Sequence, residues 1–525
     1  MGAFIVSVFR NGETTKIAAE AGESLLQLLV KNGVYISAAC GGAGKCGKCK
    51  VRFMEHPTPI TADDEVCLSK EELEDGWRLS CLSYPEADCL VEVASDDESD
   101  FAIVSDYQDQ KKHVDDITED AYDIAIDIGT TTIAINLIGK TSKEVCRTHT
   151  TINRQRAYGA DVISRIQASV DGKGPELRES IQNDLLDGIT EVVKEEGISP
   201  SLVDRIAIAG NTTMGHLLMG YSCESLGVFP FTPVNIGTIH VTFAELFAGA
   251  AKEETGFEQA KIVLLPGIST FVGADISAGM LSCNMDQTEG PCLLLDLGTN
   301  GEMAIGKAGN YMVTSTAAGP AFEGGNISCG MGAVKGAISG VTIENGKVTL
   351  ETIGDRPPVG LCGTGVLETV YELLQDELID ETGVLDDEYF DDGFELAKTP
   401  EGEPISFTQQ DIREIQLAKS AVRAGLETLL LRYGVTYDDI EKVFLAGGFG
   451  YRIDLEKTIG IGLIPEELRD KIEAVGNSSL GGAGKFLMEA DAQERINKMM
   501  EECAEVALST DKDFIQFYTD YMFFE

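Results

Sequence analysis

The stretch IAIDIGTTTIAI, residues 124–135, sets the pattern for the larger part of this chain. An apolar strand runs into Asp127, a turn with Gly129 follows, and a second apolar strand leads away. The stretch LLLDLGTNGEMAI, residues 293–305, repeats this order of apolar strand, aspartate, Gly-Thr turn and apolar strand. Two copies about 170 residues apart indicate a duplicated domain rather than a short-period repeat.

Both turns have residue types that bind phosphate. A glycine lets the backbone approach phosphate oxygens, and threonine hydroxyls and backbone N–H groups can donate hydrogen bonds to them. An aspartate at the end of the strand can hold Mg²⁺, usually through water. One such hairpin alone is often only a turn, but two that face each other could clamp the β- and γ-phosphates of a nucleotide from both sides.

The rest of residues 122–525 alternates strand and helix patterns, which is typical of an α/β architecture with a parallel component. Two further Gly-rich segments follow strand patterns: GLCGTGVLETV at 360–370 and VFLAGGFGYRIDL at 443–455. The first precedes a helix whose N-terminus would suit an anion, and a plain loop is the alternative.

Several polar residues in this part of the chain have both a structural and a functional interpretation. Asn211–Thr213 could cap a helix or reach an active cleft. Asp161 and Arg165, spaced i,i+4, suit a helix ion pair, or they line the cleft near the γ-phosphate. Asp275 could lie at a hinge between two lobes, with close helix packing around nearby glycines as the alternative. Glu302 could orient an attacking water, but the sequence does not assign a general base.

The stretch AACGGAGKCGKCKVRF, residues 38–53, has a different chemistry. Cys40, Cys46 and Cys49 have the spacing C-x5-C-x2-C, and Cys81 follows after 31 residues. Thiolates on a Gly-rich loop can wrap an iron–sulfur cluster, and the plant-type spacing C-x4-C-x2-C differs by one residue in the first gap. Zinc usually takes paired C-x2-C knuckles, of which there is one, and four unligated thiols are the other alternative. The segment GGAGK fails as a phosphate loop, because the glycine and Ser/Thr that such a loop needs are missing.

Composition and charge indicate how the chain is divided and which classes of partner are disfavoured. Residues 1–94 have the pattern of a small β-rich module, and the acidic stretch 95–121 has that of a linker. The net charge of −46, from 87 acidic against 41 basic residues, disfavours nucleic acid and anionic membranes as partners. No apolar run reaches the ~18 residues of a membrane span. With no signal-peptide pattern and an odd number of cysteines, 13, we expect a cytoplasmic protein without a disulfide scaffold.

The motifs resemble those of known families. The cysteine spacing in residues 1–94 resembles that of [2Fe–2S] ferredoxins, particularly those with five residues in the first gap. AIDIGTTT, LDLGTNGE and AGGFG resemble signatures of the actin, sugar kinase and Hsp70 superfamily of ATPases. In this order, and together with AGNTTM, they resemble the reductive activators of corrinoid-dependent methyltransferase systems over nearly the whole chain. Larger members of that family carry an additional domain where this chain has only residues 95–121.

The resemblance implies an α/β multidomain fold. A β-grasp ferredoxin-like [2Fe–2S] domain would span 1–94, the linker 95–121, and a duplicated actin/Hsp70/sugar-kinase-like (ribonuclease H-like) ATPase core would have its lobes at 122–290 and 291–525. The implied cofactors are a [2Fe–2S] cluster, ATP and Mg²⁺, with Asp127 and Asp296 as the catalytic residues that hold Mg²⁺. The implied cluster ligands are Cys40, Cys46, Cys49 and Cys81. The implied nucleotide-binding residues are Gly129, Thr130, Thr131, Thr132, Gly298, Thr299, Asn300, Gly363, Gly447, Gly448 and Phe449.

The resemblance also implies a task. Cobalamin methyl transfer needs Co(I), and occasional oxidation leaves inactive Co(II), which the activator would return to Co(I) with an electron from the cluster and the help of ATP. The partners would be a corrinoid protein and a cellular electron donor; a homodimer is compatible with the sequence, which leaves the oligomeric state open.

Two other functions remain open at this point. One is an activator of a radical dehydratase, which shares the ATPase half but holds one [4Fe–4S] cluster at a dimer interface. The other is a non-catalytic redox carrier whose ATPase-like fold only docks partners. Four cysteines in a separate domain argue against the first function, and intact signatures in both hairpins argue against the second.

Overall fold

The structure is a computed structural model that describes residues 4–10, 12–32, 34, 36, 42, 44–45, 47–93, 119–248, 255–447 and 453–524. The N-terminal part is a small domain with one sheet and three short helices. Its elements are β1 (Phe4–Arg10), β2 (Glu13–Ala19), α1 (Leu25–Lys31), β3 (Lys50–Glu55), α2 (Ala62–Cys67), α3 (Lys70–Glu74), β4 (Trp77–Leu79) and β5 (Cys89–Glu92).

These elements form a β-grasp fold. The mixed sheet has the order β2-β1-β5-β3-β4, with β1 and β5 parallel and the other neighbours antiparallel. The helix α1 begins after Ser24, whose hydroxyl accepts the N–H of Gln27, and it buries four leucines against the sheet. Cys81 lies two residues after the end of β4, so the sheet fixes its position.

The middle part of the chain forms the first of two large sheets. Its strands have the order β10-β11-β9-β6-β7-β8. The elements are β6 (Tyr122–Ile128), β7 (Thr132–Gly139), β8 (Val145–Ile152), α4 (Val162–Ala168), α5 (Gly174–Glu196), β9 (Val203–Gly210), α6 (Thr212–Met219), α7 (Glu224–Gly227), β10 (Ile239–Thr242), α8 (Phe243–Leu246), β11 (Lys261–Leu264) and α9 (Ala274–Ser282).

The C-terminal part forms the second large sheet, in the order β21-β20-β12-β13-β14-β22, with two small sheets beside it. Its strands are β12 (Cys292–Leu297), β13 (Gly301–Lys307), β14 (Asn310–Thr316), β15 (Ala337–Glu344), β16 (Lys347–Thr352), β17 (Gly360–Leu361), β18 (Phe394–Lys398), β19 (Pro404–Phe407), β20 (Lys442–Ala446), β21 (Ile472–Gly476) and β22 (Cys503–Glu505). Its helices are α10 (Gly363–Gln375), α11 (Gln409–Tyr433), α12 (Leu455–Gly460), α13 (Ser478–Met488), α14 (Ala492–Glu501) and α15 (Lys512–Asp520).

The two large sheets repeat one another in five strands. In the first, β11, β9 and β6 run parallel, and β6, β7 and β8 form an antiparallel meander. In the second, β21, β20 and β12 run parallel, and β12, β13 and β14 form the same meander. The duplicated α/β core expected from the two Asp-x-Gly-Thr motifs is therefore the observed fold.

A pair of helices joins the two halves. The helix α13 packs along α9 and also contacts β6 and β9 of the first sheet. The approach is close, since a Cβ on Gly482 would lie 2.0 Å from the carbonyl oxygen of Ala278. The second GGAGK segment, residues 481–485, is thus a helix-packing surface. Among the described residues, every helix is too short or too polar to cross a bilayer.

Candidate functional site

Two strand–turn–strand hairpins occupy equivalent positions in the two large sheets. In the first, between β6 and β7, the N–H of Gly129 donates to the carbonyl oxygen of Thr132 at 2.9 Å. In the second, between β12 and β13, the N–H of Gly298 donates to the carbonyl oxygen of Asn300 at 3.0 Å. A Cβ on Gly129 would lie 2.7 Å from the Thr132 oxygen, so the first turn needs a glycine there. Each turn closes on itself and presents its tip at the end of the sheet.

Four carboxyl groups converge below these turns. Asp127 and Asp296 end β6 and β12, Glu302 lies in β13, and Asp275 lies in the first turn of α9. Burial raises the pKa of Asp296 to about 7, and the charges of Asp275 and Asp127 add to that rise. Burial also raises the pKa of Asp275 to about 6, and the charge of Asp127 adds to this rise. The hydrogen bond from the N–H of the next residue acts in the opposite direction. The pKa of Glu302 is raised well above its ordinary value by burial and by Asp275 and Asp296.

Asp127 accepts hydrogen bonds from two side chains of the segment that follows β21. The side-chain amide of Asn477 donates to Oδ2 and the hydroxyl of Ser479 to Oδ1, both at 2.7 Å. Burial raises the pKa of Asp127, and these two hydrogen bonds act in the opposite direction. Sequence reasoning missed both donors, although they follow β21, at the carboxyl end of a parallel strand where sites are expected in α/β sheets.

The second hairpin has a further acid beside its tip. The Oγ1 of Thr299 donates to both carboxylate oxygens of Glu323 at 3.1 Å. Burial raises the pKa of Glu323, while the Thr299 hydrogen bonds and then the charge of Arg156 lower it. Arg156 belongs to the first half of the chain and Glu323 to the second, so their charges act across the gap between the halves.

Asn153 forms two hydrogen bonds with the backbone of the first hairpin. Its side-chain amide donates to the carbonyl oxygen of Gly129 at 2.9 Å, and its backbone N–H donates to that of Thr131 at 3.0 Å. Its Oδ1 accepts the N–H of Gln155 and so begins a short 3-10 turn, Arg154–Ala157. One residue thereby joins the hairpin tip to the segment that follows β8.

Two more residues hold Thr130 in place. The buried guanidinium of Arg165 donates to the Thr130 carbonyl oxygen at 2.5 Å and to that of Gly159 at 2.9 Å. Asn211 both caps α6, through the N–H of Met214, and donates to the Thr130 hydroxyl at 3.1 Å. Asn211 is therefore the helix cap and also reaches the first hairpin, and Arg165 supports the hairpin backbone.

The glycines predicted to lie near the nucleotide have different surroundings. Gly447 has a φ of +91°, and a Cβ there would lie 2.7 Å from Oδ1 of Asp296, so this backbone packs directly against the second hairpin. Gly363 is the first residue of α10. Gly448 and Phe449 lie outside the described residues.

Two of the four predicted cluster cysteines are described, and they lie together. The Sγ atoms of Cys49 and Cys81 are 3.3 Å apart and both side chains are buried. The hydrogen bond from Cys81 lowers the pKa of Cys49 to about 6 despite burial, which favours the thiolate that binds iron. Cys40 and Cys46 lie outside the described residues.

Three described glycines near these cysteines have backbone angles that suit a loop wrapped around a cluster. Gly42, Gly44 and Gly47 have φ values of +86°, +74° and +68°, a region that glycine adopts without strain. Cys67, outside the predicted ligand set, packs against the loop with its Sγ 3.6 Å from the Gly44 carbonyl oxygen. The described donors thus fit an iron–sulfur cluster: two adjacent thiols, of which Cys49 has a lowered pKa, beside a glycine-rich loop.

The acids at the hairpins fit a divalent cation less directly. Within the described residues, no three His, Cys, Asp or Glu side chains are grouped closely enough to hold a metal ion. Burial and the charges of neighbouring acids raise the pKa values of Asp275 and Asp296, and a bound cation would lower both. A hydrated Mg²⁺ fits this arrangement, because it keeps several waters and needs only one or two carboxylates.

Comparisons with known proteins agree with this geometry. Residues 8–86 match the 2Fe-2S iron-sulfur cluster binding domain, residues 122–288 the RACo middle region, and residues 290–525 the C-terminal domain of RACo, the ASKHA domain. The chain is 29% identical to the corrinoid activation enzyme RamQ of Eubacterium limosum, over 93% of each chain. It is 27% identical to the [Co(II) methylated amine-specific corrinoid protein] reductase of Methanosarcina barkeri, over 76% of each chain.

A solved structure has the same overall arrangement. The reductive activator for corrinoid,iron-sulfur protein superposes with a TM-score of 0.69 at 27% identity, covering 99% of this chain and 98% of that one. The fold, the order of the domains and the relatives therefore agree, and the chain belongs to the RACo-type activator family, with a 2Fe-2S domain followed by the RACo middle and C-terminal ASKHA domains.

Proposed function

We propose that this protein is an ATP-dependent reductive activator that passes an electron from a [2Fe–2S] cluster to the Co(II) of a corrinoid protein and so regenerates Co(I). The proposal rests mainly on two features that occur on one chain. The first is the pair of cysteines, Cys49 and Cys81, beside a glycine-rich loop. The second is the pair of equivalent hairpins, near which four acidic side chains lie. The two relatives, named as a corrinoid activation enzyme and a corrinoid protein reductase, support the same substrate.

The coupling of the two halves has a thermodynamic reason. A plant-type [2Fe–2S] centre has a reduction potential of about −400 mV, and the reduction potentials of Co(II)/Co(I) couples are very low. A one-electron transfer costs about 1.4 kcal/mol for each ~59 mV uphill. ATP can offset that cost only if its binding or hydrolysis changes the complex, and closure of two lobes around the nucleotide would be such a change.

Each part of the nucleotide site has a role in this proposal. Asp127 and Asp296 hold Mg²⁺ through water, with Asp127 oriented by Asn477 and Ser479. Thr130 to Thr132 and Gly298 to Asn300 clamp the phosphates from the two sides, and Gly447 with the following Gly448 and Phe449 contacts the adenosine, as does the turn at Gly363. The cation, when bound, neutralises charge on the phosphates.

In the cluster domain, Cys40, Cys46, Cys49 and Cys81 are the proposed ligands. The partners would be the corrinoid protein, docked on the ATPase half, and a cellular electron donor. We further propose domain limits at 1–94, 95–121, 122–290 and 291–525, and a cytoplasmic location.

The proposal is tested by mixing the pre-reduced protein with MgATP and a Co(II) corrinoid protein and following the Co(I) absorption band. We expect Co(I) to accumulate only in the complete mixture. Omission of MgATP is the control; Co(I) at the same rate without it would contradict the ATP dependence.

The cluster type is tested separately by electron paramagnetic resonance of the reduced protein. A [2Fe–2S] signal is expected. A [4Fe–4S] signal that requires a dimer would instead support an activator of a radical dehydratase.

A further inference from the structure

The segment NRQRAYG, residues 153–159, carries two arginines with different surroundings. Arg154 forms ion pairs with Asp184 at 3.3 Å and Asp187 at 3.1 Å, which fix it beside α5. Arg156 is half-buried, and within the part of the chain that the structure describes its guanidinium has no hydrogen-bond or ion-pair partner. A half-buried arginine without such a partner is costly unless something else compensates its charge.

The backbone places Arg156 on the first hairpin. The 3-10 turn Arg154–Ala157 begins at Asn153, whose Oδ1 accepts the N–H of Gln155 and whose carbonyl oxygen accepts that of Arg156 at 3.1 Å. Asn153 is itself bonded to the hairpin tip at Gly129 and Thr131. Gln155 is buried and donates to the Leu177 carbonyl oxygen at 2.8 Å, so the turn is held on both sides.

The charge of Arg156 reaches a carboxylate beside the other hairpin. Its charge acts on Glu323, whose carboxylate accepts the Thr299 hydroxyl and lies 3.6 Å from the position of a Cβ on Gly298. The backbone of Arg156 is thus anchored to one hairpin tip through Asn153, and its charge acts on an acid beside the other. The space between these tips is where both hairpins would hold the phosphates.

The negative charge of the proposed nucleotide site would be compensated by a cationic side chain such as that of Arg156. Asp127, Asp275, Asp296 and Glu302 already converge there, and a nucleotide adds the negative charge of its phosphates. Arginine presents a planar fork of N–H donors that matches phosphate oxygens and remains charged at any physiological pH. A positive group placed at the transferring phosphate is also what phosphoryl chemistry requires.

We infer that Arg156 binds the terminal phosphate of ATP across the gap between the two hairpins, and that Glu323 is its electrostatic partner when no nucleotide is present. The inference rests on the proposed ATP site and adds a specific residue for telling ATP from ADP. Binding would exchange the Glu323 interaction for one with the γ-phosphate. Nucleotide state would thereby be read by a residue that acts on both halves of the chain.

The test is calorimetric titration of the full chain with MgATP and with MgADP. For Arg156→Gln we expect the MgATP affinity to fall at least tenfold and the MgADP affinity to change less than twofold. Arg156→Lys, which keeps the charge but loses the fork, should give a smaller loss of MgATP affinity. Arg154→Gln is the matched control and should leave the ratio of the two affinities unchanged.

The outcomes separate this inference from the proposed function. If the wild-type protein binds MgATP and Arg156→Gln keeps the wild-type ATP-to-ADP ratio, or weakens both nucleotides equally, the inference is wrong and the ATP site stands. If the wild-type protein does not bind MgATP, the proposed function fails, and the inference fails with it. Should Arg156→Gln not fold, the Arg156→Lys ratio decides: an unchanged ratio overturns the inference.

Discussion

The two phosphate hairpins have the same strand order but different electrostatic surroundings. Asp127 in the first receives hydrogen bonds from Asn477 and Ser479. Asp296 in the second has a pKa raised to about 7 by burial and by two neighbouring acids. Duplication therefore supplies the geometry twice, whereas the residues added around each copy give the two carboxylates different hydrogen-bond and charge environments.

The steric surroundings differ as well. A Cβ on Gly129 would lie 2.7 Å from a backbone oxygen, whereas one on Gly298 would meet nothing closer than 3.6 Å. The first hairpin is held rigidly by Asn153, Arg165 and Asn211, and the second has Glu323 beside its tip. We interpret the first hairpin as the fixed side of the site and the second as the side that adjusts to the nucleotide.

The largest expected effect comes from removing either aspartate. Asp127→Ala and Asp296→Ala should each lower the rate of ATP hydrolysis about 100-fold or more, because each removes a carboxylate for the hydrated cation. The measurement is phosphate release by the full chain, with the visible spectrum of the cluster as a control for folding. If only one of the two substitutions reduced hydrolysis, the hairpins would not act as a pair.

The second effect tests the steric difference. Gly129→Ala should lower the thermal unfolding midpoint by several degrees, since the new Cβ meets the Thr132 carbonyl oxygen and costs about 1–3 kcal/mol. Gly298→Ala is the matched variant and should shift the midpoint by about 1 °C or less. Equal shifts would remove the distinction between a fixed and an adjustable hairpin.

The third effect concerns the donors to Asp127. Ser479→Ala should reduce ATP turnover about tenfold, because the hydroxyl orients the Asp127 carboxylate at 2.7 Å. Within the part of the chain that the structure describes, the buried hydroxyl of the adjacent Ser478 has no hydrogen-bond partner, so Ser478→Ala is a matched control with little expected change. Turnover that is equal in both variants would show that Ser479 does not position Asp127.

The smallest effect is a dependence of stability on pH. The folded-state pKa of Asp296, about 7, exceeds that of an unfolded aspartate, so the folded protein binds more protons and loses stability as pH rises from about 4 to 7. At pH 8 without nucleotide, the free energy of unfolding of Asp296→Asn should therefore exceed that of the wild type by about 1 kcal/mol. This gain should shrink toward pH 5.

Asp127→Asn is the control for that measurement. Its gain should be smaller, because the donors Asn477 and Ser479 already favour a carboxylate at this position and an amide would oppose them. A gain for Asp127→Asn equal to that for Asp296→Asn would contradict the electrostatic difference between the hairpins.

Local patterns in the sequence were sufficient for the duplicated α/β core and the ferredoxin-like domain. The Asp-x-Gly-Thr turns and the cysteine spacing place their key residues within a few positions of each other, so they are readable without long-range information. Asn477 and Ser479 act on Asp127 from 350 and 352 residues away, and no local pattern connects them. Packing likewise distinguishes two arginines of one segment: Arg154 is paired with Asp184 and Asp187, whereas Arg156 has no hydrogen-bond or ion-pair partner among the described residues.

The central claim is that nucleotide at these hairpins drives the electron from the cluster to cobalt. A rapid-mixing experiment with pre-reduced protein and Co(II) corrinoid protein tests it directly, with cluster oxidation and the Co(I) band recorded together after MgATP is added. The account predicts that both signals change in step in the wild-type protein and that neither changes in Asp127→Ala. Formation of Co(I) at the wild-type rate by Asp127→Ala would contradict it.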